Sequence, residues 1–381
     1  MSQVLFISPI PTHPTTAGNR ARVNTLASSL SRNGHDLFFM HIEQEAGDRT
    51  ILKEVWGDRY VPVPYKKPRS RLAHLLRRIA RKINSKRAFQ YGIDEWYDPD
   101  TDRAINKFLE SYPIDIVIVE YVFMSRALLN IPEGIVKILD THDVFANREQ
   151  RYIANNMQPT WFSCSPRQEA KGLQRADVVV AIQEDEANYF RACMDVDVVT
   201  IGHPVDLVDA SVSDIVTGRI LLVGSSNPIN VSSAQWLIEL VFPIVLETFP
   251  DAELCIAGTI CQALTPVPKV RLLGKLDDLS EAYAGAHLVV NPMLFGTGLK
   301  IKSVEALAHN RPLVTTPCGA EGLVSSAQQA FSVASAPEAF AAEITRLLHQ
   351  PDAAIALGNE GFAYAARFNA RIESQIRCLA P

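Results

Sequence analysis

Phe295-Gly-Thr-Gly-Leu-Lys-Ile-Lys-Ser-Val-Glu-Ala-Leu307 follows the apolar run Ala286-His-Leu-Val-Val-Asn-Pro292 and precedes Arg311-Pro-Leu-Val-Thr-Thr-Pro317. The order is strand, glycine loop, amphipathic helix, strand: one parallel βαβ unit whose helix opens on a glycine-rich turn and two lysines. A helix N-terminus presents unpaired N–H groups and about half a positive charge, so it receives phosphate readily. Lys300 and Lys302 strengthen that field. Cations at a helix start are unfavourable by about 0.3–1 kcal/mol each, and a bound anion would offset that. Glu305, one turn further on, would repel phosphate; hydrogen bonds to ribose hydroxyls account for it better. Phosphate beside ribose describes a nucleotide.

The same alternation extends in both directions. In the first half, Val4–Ile10, Asp36–Ile42, Asp115–Tyr121, Val136–Asp143, Asp177–Ile182 and Val196–Ile201 read as strands, with a helix over Arg22–Arg32 stopped by Asn33-Gly34. The series restarts with Arg219–Ser225, a helix over Ser232–Leu246, then Ala252–Gly258, Val270–Gly274 and a helical region from Pro337. Short apolar strands alternating with helices predict an α/β protein with open parallel sheets. The expectation is two doubly wound Rossmann-like domains facing across a cleft, with ligands beyond the carboxyl ends of the strands. Their bounds are 1–204 and 205–362, linked at Gly202–Leu207, with a C-terminal helix over 363–381 expected to cross back to the first domain.

At 381 residues the chain exceeds what one core usually supports. No run is expected to reach the length of a transmembrane helix, and the opening apolar segment reads as a strand rather than a secretory signal. The six cysteines are scattered without a CxxC pair, which disfavours a metal site and suits reduced thiols in the cytoplasm.

These motifs resemble family 4 glycosyltransferases of the two-Rossmann-domain (GT-B) type. The matching stretches are Val223-Gly-Ser with Asn230 and Trp236-Leu237, Gly274-Lys-Leu-Asp-Asp-Leu, Phe295–Leu307 and Thr316-Pro-Cys-Gly-Ala-Glu-Gly-Leu; the Gly18 loop and Asp140-Thr-His-Asp match more loosely. The resemblance implies transfer of a sugar from a nucleotide-diphosphate donor to a glycan or lipid-linked acceptor in surface-polysaccharide synthesis. It also implies roles for particular residues. Backbone at Gly274 and Leu276 should hold the base, and Glu305 the ribose. Gly224, Ser225, Gly298, Lys300 and Lys302 should face the diphosphate. Amides of Gly319, Ala320 and Glu321 should reach the donor sugar, as should His142, while Gly18 should let the N-terminal loop approach the phosphates.

Two positions depart from the family pattern. A second glutamate often precedes the first by eight residues, where this chain has Thr297; an arginine often follows the glycine after the second domain's first strand, where it has Ser225. The missing arginine places more of the phosphate neutralisation on Lys300 and Lys302, and the missing glutamate takes away the family's usual contact to donor-sugar hydroxyls. Catalysis would come from donors that tighten as charge builds on the leaving phosphate. Asp98-Pro-Asp, Asp100-Thr-Asp and Asp195-Val-Asp lie in turns or helix starts, so neither a metal nor another cofactor is expected. His142 and Lys302 are the expected catalytic groups, with Glu120 as an acceptor-side base or hydroxyl ligand; His13 is a weaker candidate. The resemblance implies retention of anomeric configuration.

Lys66–Arg87 holds ten Lys/Arg and no acidic residue, against a net charge of −5 for the whole chain. Leu72, Leu75, Leu76, Ile79 and Ile83 form one stripe, flanked by Arg71, Arg77, Arg78, Arg81 and Lys82. Such a helix suits an anionic bilayer, at about 1 kcal/mol per cation, or packs its stripe on the domain core. The expected location is cytoplasmic and peripheral at the inner face of the membrane. Nucleic acid is not expected, because the patch lacks aromatics and the remainder is acidic. Two other readings are a catalytically silent scaffold, favoured by Thr297 and Ser225, and a sugar-nucleotide epimerase.

Overall fold

Two parallel sheets organise the chain in a computed structural model that describes residues 2–15, 17–68, 86–209, 214–323 and 329–379. The first sheet takes β1 (Gln3–Ser8), β2 (Asp36–Ile42), β3 (Tyr60–Val63), β4 (Ile116–Glu120), β5 (Val136–Asp140), β6 (Val178–Ala181) and β7 (Asp197–Thr200) in the order β3-β2-β1-β4-β5-β6-β7. The second takes β8 (Arg219–Val223), β9 (Glu253–Ala257), β10 (Val270–Gly274), β11 (Leu288–Asn291), β12 (Leu313–Thr315) and β13 (Ser332–Val333) in the order β10-β9-β8-β11-β12-β13. Every ladder is parallel. In each sheet the strand order reverses at one place, between β1 and β4 and between β8 and β11, where doubly wound folds open a crevice for ligands.

Contacts divide the chain into Met1–His203 with Ile372–Pro381, and Pro204–Arg371. The last helix, Pro351–Leu379, contributes residues to both units. Within the first unit, Glu373 on that helix accepts hydrogen bonds from Ser29 and Arg32 at 3.1 and 3.2 Å. The central strands are apolar on both faces, as parallel strands covered by helices must be: Val4, Leu5, Phe6 and Ile7 of β1 are fully buried, as are Leu254, Ile256 and Ala257 of β9. The two short edge strands β3 and β13 escape the sequence reading because few residues carry their alternation.

The helix expected over Ser232–Leu246 starts earlier, at Pro228, capped by Asn227 Oδ1 on the Ile229 amide at 2.9 Å. It changes register at a π-turn, Leu237–Val241. Pro243 explains the change, because a proline cannot donate to the carbonyl one turn back and its ring crowds that turn. The Phe242 N–H bonds Leu237 O instead, five residues back. The expectation that no segment reaches membrane length is corrected here, since Pro228–Thr248 has 21 residues and a window of mean hydropathy 1.5. Its apolarity serves the fold. The segment connects β8 to β9, and Ala234, Leu237, Val241, Phe242 and Val245 enter the core of the second unit. Of the basic stretch, Arg71, Leu75, Arg77, Arg78, Arg81 and Lys82 lie outside the described residues.

Candidate functional site

In the second unit the carboxyl end of β11 leads through Pro292–Lys300 into the helix Ile301–Ala308. Gly298 has φ +71°, a left-handed conformation that lets the loop turn into the helix without side-chain strain. Amides of Gly298, Leu299, Lys300 and Lys302 meet no acceptor among the described residues, the normal state of a helix start awaiting an anion.

The two lysines part company. Lys300 is buried, and its Nζ donates to Glu321 Oε2 at 2.9 Å, Gly298 O at 2.8 Å and Thr297 O at 3.3 Å. This ties the glycine loop to the turn after β12. Lys302 Nζ instead donates to a neutral acceptor, Asn230 Oδ1, at 3.0 Å. Burial, and then the neighbouring Lys300, lower its pKa to about 8. Asn230 in turn donates to Ser225 Oγ at 2.9 Å, so Ser225, the turn after β8 and the Lys302 ammonium form one chain of contacts. Glu305 accepts from the Tyr283 hydroxyl at 3.5 Å, and burial raises its pKa.

Behind the loop, Asn291 Nδ2 donates to Ser303 Oγ and Ser303 Oγ to Gly319 O, each at 2.7 Å. The Gly319 amide donates to Thr316 Oγ1 at 3.0 Å, the Ala320 amide to Thr316 O at 3.0 Å and the Glu321 amide to Cys318 O at 3.2 Å. The three amides expected to reach a donor sugar are therefore engaged in their own turn. Gly274 ends β10 at φ +74°, its carbonyl accepting from the Gly258 amide at 2.7 Å, and Leu276 beyond it is half-buried. Gly224 lies in the ladder, bonded through its amide to Ala257 O at 2.9 Å.

The first unit gathers a second polar cluster at the carboxyl ends of β4 and β5. Glu120 is fully buried, with its Oε2 hydrogen-bonded to His142 Nε2. His142 has φ +60° and stacks on Tyr121 with ring centroids 4.0 Å apart. Asp140 accepts from Arg22 at 3.0 and 3.3 Å, and Arg22 also donates to Gly202 O. Burial, then the Asp140 charge, push the Glu120 carboxyl up to about 7. Its carboxylate meets the imidazole and is closed off from solvent. The oxygens and imidazole of Glu120, Asp140 and His142 lie within 4.8 Å of one another, but the Arg22 guanidinium already supplies the counter-charge at Asp140. Gly18 is the first residue of the helix Gly18–Arg32 rather than part of a loop. His13 contacts its neighbour Thr12 at 3.0 Å.

The Asp98-Pro-Asp and Asp100-Thr-Asp pairs make local contacts. Asp98 accepts from the Lys66 and Asp100 amides at 2.7 and 3.1 Å, while Asp102 accepts from the Tyr97 hydroxyl. The residues that sequence reasoning missed are partners: Arg22, Tyr121, Tyr283, Asn291 and Ser303 were given no role, nor was Asn230, although it lies in a quoted motif.

Residues 217–350 match the family described as glycosyl transferases group 1. Over 139 residues the chain is 28% identical to an uncharacterized 44.6 kDa protein in the cps region of Klebsiella pneumoniae, a match covering 33% of this chain and 36% of that protein. Among solved structures, HepE of Anabaena in complex with UDP and glucose is similar at TM-score 0.65 and 14% identity, over 98% of this chain and 99% of that one. Sucrose-phosphate synthase from Thermosynechococcus elongatus gives 0.69 and 14% over 99% and 98%. The pneumococcal O-GlcNAc transferase GtfA, in complex with UDP and GlcNAc, gives 0.68 and 12% over 98% and 97%. The fold is that of the GT-B glycosyltransferases, and the match to the group 1 family model is confined to residues 217–350.

Proposed function

We propose that the protein transfers a sugar from a nucleoside diphosphate donor to a glycan or lipid-linked acceptor. The observation that carries this reading is the start of the Ile301–Ala308 helix: four amides that meet no acceptor among the described residues, beside a lysine whose ammonium donates to a neutral amide oxygen. The diphosphate lies over these groups, and Glu305 takes the ribose. The UDP bound in the HepE and GtfA structures supports uracil as the base to try first. As the bond from the anomeric carbon to the phosphate oxygen stretches, negative charge grows on the leaving diphosphate, and the ammonium and amides tighten on it.

That charge stabilisation makes a metal unnecessary. Retention follows the resemblance to family 4: the acceptor oxygen bonds the anomeric carbon on the leaving-group face, and its proton passes to the departing phosphate. The cps-region relative favours a place in capsule or other surface-polysaccharide synthesis, with the protein at the cytoplasmic face of the membrane. The test is a thermal-shift series with UDP-, GDP-, TDP- and CMP-sugars in EDTA. One donor should raise the melting temperature, whereas no response to any of them would favour the scaffold reading.

A further inference from the structure

We propose that Glu120 is a positioning residue for His142, the two sharing one proton that keeps His142 Nδ1 a hydrogen-bond donor for an oxygen of the sugar substrate. This rests on the transferase reading above.

The argument starts from buried charge. Glu120 and Asp140 are each fully buried, and Arg22 is 1% exposed. Two carboxylates and one guanidinium leave one negative charge in a medium where an unbalanced charge is costly. The other groups facing the cluster do not balance it. His203, after β7, is buried and is held neutral, its pKa lowered to about 3 by burial, then by Arg22 and His142. Tyr121 is held in its neutral form by burial, with Glu120, Glu45 and Asp140 adding to the effect. The remaining counter-ion is a proton, and the Glu120–His142 contact is where two basic atoms meet. The Glu120 carboxyl titrating near 7 is consistent with a proton kept at neutral pH.

The location of that proton does not alter what His142 presents. With the proton on the carboxyl, Nε2 accepts it in a hydrogen bond and the neutral ring carries its hydrogen on Nδ1. With the proton on the ring, both nitrogens carry hydrogens. In each state Nδ1 donates. Loss of the shared proton leaves Nε2–H facing the carboxylate and turns Nδ1 into an acceptor. Nδ1 makes no hydrogen bond to protein among the described residues, and the ring is fixed by its stacking on Tyr121. A sugar oxygen is therefore the partner left for it.

The experiment is a pH series of long-range ¹H–¹⁵N spectra on histidine-labelled full-length protein, with His142→Gln assigning the signal, paired with kcat–pH profiles. Nδ1 should carry a hydrogen at pH 6.5 and lose it once the shared proton leaves at higher pH, and kcat should fall together with that loss. Glu120→Leu should abolish the alkaline limb of kcat, because without the carboxylate the neutral ring can carry its hydrogen on Nδ1 at any pH, and Glu120→Asp should restore the limb. A merely structural role would lower kcat without moving the limb. An unprotonated Nδ1 at pH 6.5 in the wild type overturns the inference even where Glu120→Leu does not fold. Absence of donor binding and turnover in the wild type would instead defeat the transferase reading, with the spectra still judging the proton.

Discussion

Lys302 Nζ lies 3.0 Å from Asn230 Oδ1, and this contact joins the two helices that leave β8 and β11, the neighbouring strands at which the second sheet reverses its order. The ammonium thus sits at the crevice-forming point of the sheet, oriented by a group that does not neutralise it. Lys302→Ala should lower kcat/KM by about 10²–10³-fold, the usual cost of removing one donor to a developing oxyanion. Asn230→Ala, which removes only the orienting amide, should cost less. Steady-state rates with the donor found by thermal shift check both.

The pH behaviour of Lys302 should separate binding from folding. Its folded pKa of about 8 lies below the ordinary lysine value of 10.5, so between these values the unfolded chain binds more protons than the folded one. This residue's contribution to stability therefore rises with pH across that window. Donor affinity should fall over the same window, because the cation is lost. Denaturant melts and calorimetric titrations from pH 7.5 to 9.5 measure the two trends. A Lys302→Met variant should flatten both.

Lys300 should behave as a structural residue. Its loss removes the donor to the buried Gly298 carbonyl, and an orphaned buried group costs about 1–3 kcal/mol. Lys300→Met should lower the melting temperature clearly, whereas Lys302→Met should not. Comparing thermal denaturation of the two variants tests the division of labour.

Gly258 should be the least replaceable glycine of the second unit. Its φ is +108°, and an added Cβ would stand 2.1 Å from Gly224 O. The turns after β8 and β9 touch here, backbone to backbone. Gly258→Ala should destabilise by roughly 3 kcal/mol, the upper range for backbone strain, read from the shift of the denaturation midpoint.

The parts legible in the sequence were those carried by short-range periodicity. The apolar runs of β8, β11 and β12 and the glycine loop before Ile301 are contiguous signals, and they fixed the order of elements. The division between Lys300 and Lys302 was not legible: two residues apart at a helix start they look equivalent. A separation of two positions sends side chains to different sides, one reaching Glu321 and the other Asn230. Nor was the first unit's cluster visible. Glu120 and His142 are 22 residues apart, and Arg22 and Asp140 are 118 apart; only the sheet order brings them together. Glu120 read as a strand-end carboxylate with a catalytic role because burial by neighbouring strands leaves no local mark.

The most direct test of the account is calorimetric titration of UDP into the full chain and into Lys302→Ala, both in EDTA. The account predicts metal-free binding to the wild type and a loss of at least about tenfold in affinity in the variant, the lower end for an interaction with a charged partner. Equal affinity of the two proteins would contradict it, as would binding that appears only when a divalent cation is added.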